Sequence, residues 1–351
     1  MNSILKEDLE EIASSELIDW KQLENKTIFV TGSTGLIGTI LVQSILMRNE
    51  KYSANISLIL IVRNEEKAKE KFGTKNITYI ESDIIKYNIK DLKIDYIIHA
   101  ASPTKSKFFV EEPVETLDIA IIGTKKMLEQ AKKSNVQSMV YLSSMEMYGV
   151  IDSENLTEDM LGYINPLNVR SSYSEGKRIC ELYSYSYYSK YNVPAKIARI
   201  AQTFGAGVSE NETRVYKTFV DSILEKKDII LKTAGTTNIN YCYTTDTIIG
   251  ILYILLNGKN GEAYNLVGEK TNMTIAQSAE WLAEQYGEDK VKVKYEISDD
   301  RKQFAPDNTL ILSNEKLKLL GWSPKYNLKQ GYNKLIKYLQ EERGKKENEK
   351  N

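Results

Sequence analysis

The sequence predicts an α/β chain built on a doubly wound parallel sheet, with a smaller C-terminal lobe. Three observations carry this. Short β-branched runs recur along the chain, helix-capable stretches separate them, and a glycine-rich turn joins the first run to the first helix. Residues 1–25 read as a short amphipathic helix and a linker, because Ile4, Leu5, Leu9 and Ile12 recur near helical spacing. Thr27 to Thr31 is a β-branched run that stops at Gly32, and Leu36 to Met47 is apolar enough for a buried helix. Strand-like runs follow at Ile56 to Val62, Ile77 to Ile80, Ile94 to Ile98, Met139 to Leu142, Ala195 to Ile200 and Tyr264 to Val267. Strands alternating with helices form a parallel sheet covered on both faces. The alternation breaks twice. Residues 26–204 with about 238–267 are therefore assigned to the sheet domain, and about 205–237 with 268–340 to the lobe. Residues 341–351 are almost all charged or polar and read as a solvated tail.

Composition narrows the class. The chain has 351 residues, 42% of them hydrophobic, which is enough for a full core. Its formal charge of -1 argues against a nucleic-acid binder. No run approaches the roughly 18 apolar residues of a membrane span. Acidic residues stand where a secretory signal would be basic and then apolar, so a cytoplasmic location is expected. Two separated cysteines and one histidine, His99, leave little for a disulfide framework or a metal cage, and no metal is expected. A Ser-His-Asp triad would have to use His99, which closes a strand.

The run Thr31-Gly32-Ser33-Thr34-Gly35-Leu36-Ile37-Gly38 follows the first strand and opens the first helix. A tight turn needs Gly32, close approach of a pyrophosphate needs Gly35, and helix-on-strand packing favours Gly38. The helix start offers free N–H groups to phosphates. Three glycines alone are a weak signal; between a strand and a helix they mark a Rossmann-type dinucleotide site. The second strand ends in Arg63, where an acid would select NAD and a base accommodates the extra phosphate of NADP. This favours NADP, against the alternative of a solvated arginine. Asp83, next to Ile84 after the third strand, is placed either to bond an adenine or to form a turn.

Tyr173 and Lys177 stand at i and i+4, on one face of a helix. A phenol with pKa near ~10 is a poor base, but a neighbouring ammonium favours its ionised form. The lysine can also bond a nicotinamide ribose, and the phenolate can take a substrate proton as hydride leaves. In a chain with 23 tyrosines such a pair is by itself common. Upstream, a strand leads into Ser143-Ser144-Met145-Glu146-Met147-Tyr148-Gly149, and a serine there can share the hydroxyl proton.

With Ile97-Ile98-His99-Ala100-Ala101-Ser102 and Leu320-Gly321-Trp322 also in order, the chain resembles the extended short-chain dehydrogenase/reductase family, in its nucleotide-sugar epimerase/dehydratase/decarboxylase branch, over about residues 25–340. The resemblance implies Ser144, Tyr173 and Lys177 as catalytic residues. It implies Ala100, Ala101 and Ser102 as cofactor-lining residues, and a nucleotide-sugar substrate held by the lobe. Gln202 replaces an asparagine that contacts the substrate diphosphate. Glu146 resembles the glutamate of uronate decarboxylases, as a second proton-transfer group or as a carboxylate bonded to nearby backbone.

Departures shape the expected reaction. Met145 replaces the aspartate of 4,6-dehydratases, which disfavours dehydration. Ile239 stands where an arginine binds the diphosphate or a substrate carboxylate, which leaves Gln202, Arg214 and Arg301 for the diphosphate. Ala120 replaces an asparagine that orients the active-site helix. The leading expectation is an NAD(P)-dependent nucleotide-sugar 4-epimerase working through a keto-sugar, in polysaccharide precursor synthesis. Its rivals are an NADPH-dependent keto-sugar or polyol-precursor reductase, a decarboxylase or dehydratase, and a non-catalytic NAD(P)-binding scaffold. The family also implies a homodimer through a four-helix contact.

Overall fold

Valine, isoleucine and leucine dominate the strands because a parallel sheet is buried on both faces. A computed structural model describes residues 1–268, 273–297 and 310–350. The chain opens with α1 (Ser3–Ser14), followed by β1 (Thr27–Thr31), α2 (Leu36–Tyr52), β2 (Ser57–Val62), α3 (Glu65–Phe72), β3 (Ile77–Glu81) and β4 (Tyr96–His99). Next come α4 (Ser106–Glu111), α5 (Pro113–Ser134), β5 (Ser138–Ser144), α6 (Ser171–Tyr191), β6 (Ala195–Ile200) and β7 (Gln202–Phe204). The remainder is α7 (Val215–Leu224), β8 (Ile229–Leu231), β9 (Tyr241–Tyr243), α8 (Thr244–Asn257), β10 (Ala263–Leu266), α9 (Ile275–Tyr286), β11 (Val293–Tyr295), α10 (Glu315–Leu320) and α11 (Leu328–Lys350).

Seven strands form one sheet in the order β10-β6-β5-β4-β1-β2-β3, every adjacent pair parallel. The order reverses between β1 and β4, and ligands of such sheets bind at the strand C-termini beside that switch point. Helix ends are set locally. Asn135 and Asn192 close α5 and α6 in the left-handed region, with φ of 48° and 56°. Pro113 opens α5.

Two parallel strand pairs, β7–β9 and β8–β11, lie outside the sheet. They pack with α7, α9 and α11 around a second apolar core that includes Phe204, Tyr216, Tyr241, Tyr243 and Tyr332. The amphipathic helix α1 packs against α2, α8 and α11. Its Asp8 is fully buried, accepts a hydrogen bond from the Tyr243 hydroxyl at 2.7 Å and pairs with Lys334 at 2.8 Å. The polar segment at the chain end continues α11, where Arg343 pairs with Asp221 of α7 at 2.8 Å. No helix among the described residues is long and apolar enough to cross a membrane.

Candidate active site

The glycine turn sits at the C-terminal end of β1, against the start of the loop after β4. A Cβ on Gly32, whose φ is +69°, would lie 2.6 Å from the Ala100 carbonyl. One on Gly38 would lie 2.2 Å from the Gly32 oxygen. Packing therefore forbids a side chain at both. Gly35 differs: its φ is -74°, and the nearest atom to an added Cβ would be 3.5 Å away. Nothing among the described residues requires glycine there, so the requirement fits a ligand that approaches the backbone. Gly35 also begins α2 without a side-chain cap, which leaves the first N–H groups of the helix for phosphate oxygens. Thr34 and Gly35 are exposed, and Leu36 and Ile37 half-buried, on this turn.

His99 is structural. Thr31 Oγ1 accepts from the backbone N–H of Ala100 at 3.2 Å and of Ala101 at 3.1 Å. Its one proton is thus left for His99 Nδ1 at 2.7 Å, which puts the ring proton on Nε2, facing Thr124 Oγ1 at 3.1 Å. Burial, then the charge of Lys177, hold the imidazole pKa down to about 3, so the ring is neutral. Ala100, Ala101 and Ser102 continue from it as a half-buried segment at the sheet edge. Arg63 is exposed just past the end of β2. One oxygen of Asp83 accepts from the Ile85 N–H at 3.0 Å and forms a turn, and Ile84 packs on Gly123 of α5.

Ser144 ends β5, and its hydroxyl accepts from the Glu146 N–H at 3.2 Å. Tyr173, in the first turn of α6, lies beside it, and its ring stacks on Phe109 of α4 with centroids 4.2 Å apart and planes 8° apart. Lys177, one turn on, is buried, donates to the Leu142 carbonyl at 2.8 Å and stands 5.6 Å from the Tyr173 ring. The expected lowering of the phenol pKa by this lysine does not occur. Burial dominates: it pushes Tyr173 up to about 12, with Glu146 adding to the rise and Ser144, Arg214 and Arg170 opposing it. The same burial pulls Lys177 down to about 8.

Glu146 is bound neither to backbone nor to solvent alone. Its carboxylate pairs with Arg170 at 2.9 Å. Arg170, just before α6, is buried, and its Nε has no partner among the described residues. Sequence reading missed Arg170, although its position three residues before Tyr173, near one face of the helix start, is a usable signal. It also missed Phe109 and a network beneath the site: Ser143 donates to Glu181 at 2.5 Å, and Arg199 pairs with Glu181 at 2.8 Å and donates to Tyr148 at 2.9 Å.

The candidate substrate residues divide. Arg214 begins α7 close enough to lower the Tyr173 pKa, and it is held by Glu212 at 2.8 Å and the Thr104 carbonyl at 3.2 Å. Gln202 starts β7, half-buried. Ile239 is buried in the second apolar core, so no cation stands there. Arg301 lies outside the described residues.

Residues 28–267 match the model of the NAD dependent epimerase/dehydratase family. The chain is 30% identical over 308 residues to UDP-glucuronic acid decarboxylase 6 of Arabidopsis thaliana, covering 88% of this chain and 87% of that one. It is 28% identical over 320 residues to UDP-glucuronic acid decarboxylase 1 of Xenopus tropicalis, covering 91% and 73%. The fold is also that of UDP-glucose 4-epimerase from Thermotoga maritima, at TM-score 0.75, 22% identity and coverage of 90% and 99%. UDP-glucuronic acid 4-epimerase from Bacillus cereus, solved with UDP-glucuronic acid and NAD, gives TM-score 0.74 with the same identity and coverage. Matched over most of its sheet, turn and Tyr/Lys helix, the chain belongs to the NAD-dependent epimerase/dehydratase family and is an NAD(P)-dependent enzyme.

Proposed function

We propose that this enzyme oxidises a hydroxyl of a nucleotide-linked sugar and returns hydride to the opposite face, as a 4-epimerase. The observation that carries the reading is the convergence of Ser144, Tyr173 and Lys177 at the strand ends that hold the glycine turn, with apolar Ile239 in place of an anion-binding arginine. Gly32, Gly35, Gly38 and the Ala100–Ser102 segment would hold the dinucleotide, whose nicotinamide supplies the hydride acceptor. Tyr173 exchanges the hydroxyl proton, Ser144 orients that hydroxyl, and Lys177 fixes the cofactor ribose and the phenol. Arg214 and Gln202 face the diphosphate. Exposed Arg63 supports a preference for NADP, tested by comparing thermal stabilisation by NADP and NAD. Ile122 of α5 with Leu182 and Tyr185 of α6 are exposed, which supports a homodimer through these helices.

The test is incubation with UDP-, CDP-, GDP- and dTDP-sugars and identification of products by NMR. Conversion of one of them to its C4 epimer is expected. A second reading, decarboxylation of a nucleotide-linked uronate, draws on the two decarboxylase relatives and on the Glu146–Arg170 pair beside Tyr173. Release of carbon dioxide from UDP-glucuronate, with no epimer from any sugar, would replace the first reading by the second.

A further inference from the structure

Lys177 has an electrostatic problem that its own helix does not solve. The ammonium is buried and donates one hydrogen bond, to the Leu142 carbonyl, and no carboxylate among the described residues lies within ion-pair distance of it. Glu181, one turn past Lys177 on α6, has both oxygens bonded to Arg199 at 2.8 to 3.1 Å. Cys180, also on α6, has its thiol pKa raised by burial and donates to the Ala120 carbonyl at 3.1 Å. His99 on β4 is neutral and bonded on both ring nitrogens. Tyr173 keeps its proton. Two ring faces remain, that of Tyr173 at 5.6 Å and, closer, that of Tyr141 of β5, whose ring centroid is 5.0 Å from Lys177 Nζ.

Tyr141 is placed for this. It pairs across the sheet with His99 on one side and Ile197 on the other, and it shares a small buried cluster with Ala120, Cys180 and Ile197. Ala120 contributes only a methyl to that cluster, which leaves room for a large ring. The Tyr141 hydroxyl is buried beside the Cys180 thiol, which turns its own proton to the Ala120 carbonyl. Leucine would fill an ordinary core position but carries no π-face. What the ring adds is a negative π-face under an unpaired cation.

We propose that Tyr141 is a positioning residue for Lys177: its ring face keeps the ammonium charged and aimed at the cofactor side of the site, in the space that Ala120 leaves. This rests on the assignment of Lys177 to the cofactor made above. The test is NADH fluorescence titration of the full chain from pH 6 to 10, for wild type and for Tyr141→Phe, Tyr141→Leu and Lys177→Met. Wild-type affinity falls as Lys177 loses its proton, and Lys177→Met abolishes that fall. Tyr141→Phe keeps the wild-type midpoint. Tyr141→Leu moves it down by about one pH unit, because the charged form loses its ring face. Where Tyr141→Leu unfolds, Tyr141→Met gives the same readout with a flexible side chain that fills the gap. An unchanged midpoint in the leucine or methionine variant, or an equal shift in Tyr141→Phe, overturns the proposal and leaves the cofactor assignment intact. Absence of binding of both NADH and NADPH by wild type at every pH overturns both.

Discussion

Replacing Gly35 by alanine should separate folding from cofactor binding, and its neighbour Gly38 provides the contrast. An alanine at 35 keeps an allowed φ of -74°, and its Cβ would meet nothing closer than 3.5 Å. Losing glycine at a helix N-cap costs about 0.5–1 kcal/mol, and the stiffer unfolded chain returns about the same. Unfolding entropy scales as ~2.1 cal/mol/K per residue, so for a chain of 351 residues a change of ~1 kcal/mol moves Tm by only roughly 1–2 °C. Gly35→Ala should therefore melt within about 1 °C of wild type. At position 38 the Cβ would stand 2.2 Å from the Gly32 oxygen and 2.7 Å from the Ser33 Cα. Backbone must move, at a cost of about 1–3 kcal/mol or more, and Tm should fall by roughly 1–4 °C. Binding should follow a different order. A methyl on Gly35 enters the path of the pyrophosphate; about 1–3 kcal/mol of overlap there weakens NADH by roughly 5- to 150-fold. Differential scanning fluorimetry and NADH titration measure the two effects on the same samples. A Gly35→Ala protein that binds NADH within about twofold of wild type would refute the placement of the dinucleotide on this turn.

Three further outcomes are expected. Tyr173→Phe removes the proton carrier and should lower turnover of the accepted nucleotide sugar by about 10²–10⁴-fold, while NADH still binds; turnover near wild type would discard its role. Lys177→Met should abolish turnover yet stabilise the protein at pH 7. Holding a buried lysine near pKa 8 instead of 10.5 costs about 3 kcal/mol, partly offset by its bond to Leu142. That cost is full below pH 8 and fades as pH rises toward 10.5, because the native state sheds its proton before the unfolded one does. The Tm advantage of Lys177→Met should vanish over that window, and an advantage independent of pH would contradict the cause. Glu181→Leu strands the guanidinium of Arg199, both side chains being 8% exposed, and should cost about 3–5 kcal/mol, or a Tm loss of roughly 4–7 °C by thermal unfolding. A loss under ~1 °C would show that the pair is not structural.

Features that depend on neighbours in sequence were legible in it. The glycine turn is a contiguous run, and Tyr173 and Lys177 meet because a helix repeats every 3.6 residues. Arg170 meets Glu146 from 24 residues away and Phe109 meets Tyr173 from 64, through folds of the chain that local periodicity does not encode. Asp8 is a clearer case. On an amphipathic helix a carboxylate reads as the solvated face, yet it is buried against Tyr243 and Lys334, which arrive from the far end of the chain. The error over the Tyr173 pKa has the same origin. Pair reasoning counts the ammonium at i+4 but not the desolvation that burial imposes on both groups.

That desolvation decides how the site must work. Burial penalises whichever form is charged, so it raises Tyr173 toward 12 and lowers Lys177 toward 8 in one pocket. At neutral pH the resting pair is a neutral phenol and an ammonium, so the phenol must lose its proton before it can take one from a substrate hydroxyl. Its proton affinity is then set by charges that no longer balance. Glu146 raises it, while Arg214 and Arg170 lower it. Glu146 and Arg170 oppose each other on Tyr173 and are bonded to each other at 2.9 Å. Of the two, Glu146 weighs more on the phenol. A substrate group that drew Arg170 away would leave Glu146 to hold the proton on the phenol. The ion pair therefore stands where a substrate group meeting Arg170 would change the proton affinity of Tyr173.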